Sequence, residues 1–481
     1  MCMINPNHYN TEEREKWISF RNSLSSLFPN RKGAIMNIID SLSSNIEGAN
    51  TAVAISENDL FNYNYNSVYK GINNSFSSNP EIRKQQIKET QELIISTLSL
   101  EEQLPFNLFA LDITNMDRSH SPTLIDREFV HKPSSIFGQK PITLGHKYSI
   151  LTFLKRDEIT KHNWSIPFST ERVSSCSTES ETAKKQINTL FNNCPEFNQD
   201  KLSVVTADSY YSNQYFLGDL TNYNNLVTIT RSRCSRVFYT LPKIDNNQPK
   251  RRGHPQWYGN KFDLKDESTW HEVDEQFSTT ITNHKDEIIE LEIKCWHNLV
   301  MKGNKEQKMQ QKPFNLLRIT LKDKQGNLKF KPMWLIVMGK RKNDLSLFDC
   351  YQAYLRRFDI EHLFRFAKNK LLLNSYYSTN VERENNWVEL VFLSYVNLWA
   401  SRNLAQQVTP DWQKYHLKKM PDKITPSIVQ RDYKRIICTF GTAVPLPKVR
   451  GYSSGRKKGT KLSPRLRYPT VKKMASKKKA S

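Results

Sequence analysis

Cysteine is scarce in this sequence: seven in 481 residues, at positions 2, 176, 194, 234, 295, 350 and 438, with no Cys-x-x-Cys pair among them. That spacing argues against a zinc ribbon or a disulfide framework and fits reduced thiols. Long apolar runs are also missing. The nearest, Trp387 to Ala400, is interrupted by Glu389 and Asn397 and reads as a core helix. The first residues, Met1 to Asn7, lack a basic-then-apolar signal pattern, so a cytoplasmic protein with no membrane partner is expected. Acid is the third shortage. Forty-eight Asp and Glu face 71 Lys and Arg, a net charge of +23. From Lys448 to Ser481 there are thirteen Lys or Arg and no acid. Such an excess points to a polyanion partner. A chain this long has room for two or three domains with real cores.

Of what is present, the stretch from Tyr354 to Lys368 carries most information. It contains neither Gly nor Pro and reads as one helix. At about 100° per residue, Tyr354, Arg357, Glu361 and Lys368 fall within roughly 60° of one another, with Leu355, Ile360, Leu363, Phe366 and Ala367 opposite. A carboxylate between a guanidinium and an ammonium suits a metal ion held beside a phosphate. The plain alternative is a solvated helix face with ion pairs one turn apart.

Upstream, two aspartates stand in strand settings. Phe106 to Thr114 is a mostly apolar run interrupted by Asp112, and Leu202 to Ala207 is a strand ending on Asp208. A carboxylate in a core strand is costly unless it is paired or binds metal. Asp117, Asp126 and Glu128 compete for the first role. Further strands are expected at His146 to Leu154, Trp164 to Phe168 and Asn225 to Thr230, with a helix from Ser180 to Phe191 and a short helical turn at Ser212 to Phe216. Three carboxylates are hard oxygen ligands, so Asp112, Asp208 and Glu361 together suit two Mg²⁺ or Mn²⁺ ions.

The spacing Tyr354-x2-Arg357-x3-Glu361-x6-Lys368 resembles the signature of one group of bacterial insertion-sequence transposases, enzymes with a DDE triad. The order of three strands, helix, strand, short helix, strand is ribonuclease H-like. The resemblance implies an α/β fold: a ribonuclease H-like mixed sheet flanked by helices. It implies Asp112, Asp208 and Glu361 as catalytic metal ligands, and Tyr354, Arg357 and Lys368 on DNA. It implies a β-rich insertion before the Glu361 helix, and a Trp leading toward the signature that stacks on a flipped base. Trp334 matches that position, and a core Trp is the other reading. The expected function is cleavage of double-stranded DNA at the terminal inverted repeats and strand transfer into target DNA, by a homodimer in the bacterial nucleoid. A decayed or domesticated DNA-binding relative, and a ribonuclease H-like nuclease or resolvase, are the alternatives.

The expected division is a helical N-terminal domain (1–102) for DNA binding or packing, a first catalytic half (103–235), the insertion (236–341), a second catalytic half (342–425) and a basic, disordered tail (426–481). In the first domain, Thr11 with Glu12 and Glu13 marks a helix start, and so does Asn79-Pro80-Glu81. In the insertion, Leu316 to Phe330 reads as a hairpin around Asp323 to Asn327. The tail is expected to bind phosphates or to keep the protein soluble.

Overall fold

The structure is a computed structural model that describes residues 11–45, 48–98, 104–132, 138, 140–157, 162–199, 201–242, 256–282, 286–406, 424–441, 457–461 and 463–472. In chain order, four helices come first: α1 (Thr11–Ser26), α2 (Lys32–Ser43), α3 (Asn66–Ser75) and α4 (Pro80–Ser96). Strands β1 (Phe106–Asp117), β2 (Glu128–His131), β3 (Ile142–Arg156) and β4 (Asn163–Val173) follow. Next are α5 (Glu179–Asn193), β5 (Leu202–Ala207), α6 (Gln214–Leu220) and β6 (Leu226–Ser232). A β-rich stretch holds β7 (Val237–Tyr239), β8 (Lys261–Asp263), β9 (Glu275–Thr282), β10 (Ile288–Leu299), β11 (Phe314–Lys322) and β12 (Met333–Met338). The chain then forms α7 (Leu347–Arg356), α8 (Asp359–Lys370), α9 (Val381–Ser401) and α10 (Pro426–Phe440). Among the described residues no helix is long and apolar enough to cross a membrane.

Several helix starts follow from short polar side chains that satisfy otherwise orphaned N–H groups. Asn79 accepts from the amides of Glu81 and Ile82, with Pro80 in the first turn. Ser346 caps α7, Asn380 caps α9 and Thr425 caps α10. Gly441, at φ 80°, ends α10.

The chain divides into two compact units. The first comprises residues 1–103, 113–182 and 359–481. In it the last residues of β1 lie beside β3, which pairs antiparallel with both β2 and β4. β1 approaches so closely that a Cβ on Gly145 would lie 1.9 Å from the Met116 carbonyl oxygen, so this strand position requires glycine. The N-terminal helices do not stand apart from this unit. α2 and α3 pack on α9, and Asn397 donates to Ser43. Arg21, Asp40 and Tyr433 form a buried hydrogen-bonded set joining α1, α2 and α10.

The tail therefore needs correction. It does not begin at 426, because α10 buries Val429, Tyr433, Ile436 and Ile437. Part of the remainder is held as well. The Tyr468 amide donates to the Pro122 carbonyl and the Val471 amide to that of Arg127. Lys448, Arg450, Arg456 and the lysines from 473 onward lie outside the described residues.

The second unit comprises 104–112 and 183–358. It holds a mixed sheet: the first residues of β1 run parallel to β5, and β5 runs parallel to β6. β6 is antiparallel to β12, and β11, β10 and β9 extend the same sheet. The β-rich stretch is thus a continuation of this sheet rather than a body of its own. The expected hairpin is corrected too: its turn closes at Asp323 and Asn327, but the return arm is a single bridge at Leu328, and the strand beside β11 is β12. The α/β architecture, a large mixed sheet flanked by helices, is the ribonuclease H-like one.

Candidate active site

The parallel register puts two carboxylates at one level of neighbouring strands, Asp112 within β1 and Asp208 just past the end of β5. Leu111 pairs with Ala207, and the next residue on each strand is an acid, Asp112 and Asp208. Ala207 in turn pairs with Thr230, so Arg231 occupies the same level on β6. One row across three neighbouring strands therefore reads Asp112, Asp208, Arg231. Asp208 also accepts from the Tyr210 amide and caps a short helical turn. Asp112 accepts from Arg357 at 3.0 Å. Arg231 makes no ion pair among the described residues.

Arg357 is buried, and its guanidinium lies 4.5 Å from the Phe358 ring centroid and 5.7 Å from that of Tyr354. Tyr354 is buried on α7, and burial raises its phenol pKa while Arg357 and Arg231 oppose the rise. It therefore stays protonated near neutral pH and can donate a hydrogen bond. Asp112, Asp208, Arg231, Tyr354 and Arg357 all belong to the second unit.

The single stripe expected from Tyr354 to Lys368 is not one helix. α7 ends at Arg356 and α8 begins at Asp359, with tight turn bonds from Arg357 to Tyr354 and from Phe358 to Leu355. On α7 the face of Tyr354 is the inner one, and Leu355, expected inside, is 39% exposed. Glu361 and Lys368 stand on α8 in the first unit, two turns apart and hence on one face. Glu361 lies in the first turn, where the helix dipole favours a carboxylate. Lys368 is half-buried, and burial lowers its amine pKa. It makes no ion pair among the described residues.

The competing acids have structural partners. Asp117 accepts from Lys132 and Thr143, Asp126 pairs with Arg172, and Glu128 faces Lys147. Trp334, on β12, is 4% exposed and packs against Trp270 and Trp296. It also lines a cavity of about 790 Å³ with Trp270, Arg318, Arg231 and Ser209, the residue after Asp208. Arg318 lies over both Trp270 and Trp334. Core packing and cavity lining thus coincide in Trp334.

Residues 24–288 match the family described as DDE superfamily endonuclease. The chain belongs to that family. The match covers more than half the chain, including α2 to α4, Asp112 and Asp208, and it ends before Glu361. No curated protein matches the sequence. DDE endonucleases act on DNA and generally use divalent metal ions. The aspartate pair offers hard oxygen donors without thiolate or imidazole, as such ions require. Among the described residues no group of three or more His, Cys, Asp or Glu side chains is gathered to hold a metal ion. Sequence reasoning missed Arg231. Its signal was present: it follows the apolar run Leu226 to Thr230 as Asp208 follows Leu202 to Ala207.

Proposed function

We propose that this DDE endonuclease is the transposase of an insertion sequence, cutting at the element's terminal repeats and joining the freed 3′-hydroxyl to target DNA. The reading is carried by Asp112 and Asp208 at one level of the parallel strands β1 and β5, with Arg231 level with them on β6 and Arg357 donating to Asp112. The insertion-sequence assignment is supported by the spacing of Tyr354, Arg357, Glu361 and Lys368. Asp112, Asp208 and Glu361 are the proposed ligands of two Mg²⁺ or Mn²⁺ ions. When bound, such ions stabilise charge on the attacking and leaving oxygens of an in-line phosphoryl transfer.

The chain's own groups have separate tasks in this reading. Arg231 and Arg357 orient the scissile phosphate and balance its charge. Tyr354 donates to a phosphate oxygen. Lys368, its charge disfavoured by burial, gains most from a phosphate beside it. The cavity walled by Trp334 and Trp270 receives an extruded base, whose stacking contributes about 1–3 kcal/mol. Cutting two ends together needs at least two copies of the chain.

The test is Asp208→Asn assayed on DNA carrying the element's ends. Removing a charge-stabilising group from such a site costs roughly a hundredfold or more in rate. DNA binding in EDTA should be kept. A variant that still cuts and joins normally would overturn the assignment.

A further inference from the structure

The first unit contains a second cationic feature, a cavity of about 710 Å³ bordered by α8, β4, α9 and the start of α10. Arg156, Arg365 and Lys370 bring three permanent positive charges to its lining, and His162 and His362 add two imidazoles. Asp359 is the one carboxylate in that lining. Arg156, Arg365 and Lys370 are all exposed, and none makes an ion pair among the described residues. Exposed cations in a folded surface are ordinarily interspersed with acids, so three around one cavity call for an anion from outside. Phe366 and Tyr395, packed edge to face at 5.7 Å, form an apolar part of the wall. On α8 the residues facing the cavity adjoin the stripe of Glu361 and Lys368, because Arg365 follows Glu361 by one turn.

We infer that this cleft holds the phosphodiester backbone of a DNA segment flanking the cut. Guanidinium forks match phosphate oxygens, and the apolar wall suits a sugar face. The volume falls in the range of about 300–1,000 Å³ typical of organic-ligand sites, well beyond a single tetrahedral anion. Arg365 and Glu361 are about 6 Å apart along the helix axis, so one bound strand spans both. The position beside the cut rests on the role proposed for Glu361; phosphate binding by the cleft does not.

The experiment measures binding of duplex DNA in EDTA, from low to moderate salt, for the full chain and for the double variant Arg156→Gln, Arg365→Gln. Both side chains are exposed, so thermal melting should be unchanged. Loss of two phosphate contacts should flatten the slope of log affinity against log salt by about 2. Parallel slopes with an intact melt would overturn the inference. So would a variant that loses inorganic phosphate but keeps its DNA slope, which would make the cleft a small-anion site. Asp208→Asn serves as the second arm. If it cuts normally, the catalytic reading fails while the binding result for the cleft stands.

Discussion

A single side chain can carry a measurable signature here, and Arg231 is the sharpest case. It completes the row with Asp112 and Asp208 and makes no ion pair among the described residues. Arg231→Gln should lower cleavage at saturating DNA by about ten- to a hundredfold, since a charged hydrogen bond to phosphate contributes about 1.5–3 kcal/mol. Unchanged turnover under single-turnover conditions would remove it from the site. Glu389 on α9 gives a pH signature instead. It is fully buried, accepts from Thr170, and burial pushes its carboxyl up to about 7 from an ordinary 4.5. The folded state then keeps a proton that the unfolded state releases, so the group's stability contribution is full below 4.5 and is lost as pH rises through 7. The loss approaches about 3 kcal/mol at alkaline pH. Glu389→Gln removes that dependence, and its melting temperature relative to the parent should rise between pH 5 and 8. A constant difference would contradict the raised value. The strand settings of Asp112 and Asp208 were legible from sequence, because each interrupts or ends an apolar run; that the two stand level became visible only in the register. Arg231 was not, because an exposed arginine near the end of a strand is an ordinary surface residue until register places it.

At the scale of elements, strands with strong apolar runs and helices with polar caps were readable. β2 was missed because it has four residues alternating between buried and exposed. The break between α7 and α8 was missed because it contains no Gly or Pro; at that turn Arg357 donates to Asp112, a contact no local pattern announces. α10 was absorbed into the basic tail because its charge hides a stripe of Val429, Tyr433, Ile436 and Ile437. A chain ending before Pro426 exposes that stripe's partners and leaves buried Asp40 without the Tyr433 hydroxyl. It should lose about 3 kcal/mol or more in denaturant unfolding. A chain ending at Gly441 should unfold at nearly the parent midpoint. Equal midpoints for both truncations would mean that α10 contributes nothing to the core.

Across the whole molecule, charge and chain order matter more than any one contact. The basic residues after Lys448 are expected to neutralise several phosphates at once. If about five contacts form, truncation at Pro447 should flatten the salt slope for random duplex DNA by about 4–5. Parallel slopes would leave the tail as a solubilising segment. The first unit is assembled from three separate stretches of chain, and this has a consequence for synthesis. The hydrogen bond between Asp40 and Tyr433 spans 393 positions. At about 5–20 residues per second, the ribosome makes α1 and α2 roughly 20–80 s before the helix that satisfies them. All of 104–358 has been made by then, so the second unit can fold while its predecessor in the sequence is still incomplete. During that interval the apolar faces of the early helices have no native cover, and a nascent-chain chaperone binding there would find its target in Ile35, Ile38 and Ile39.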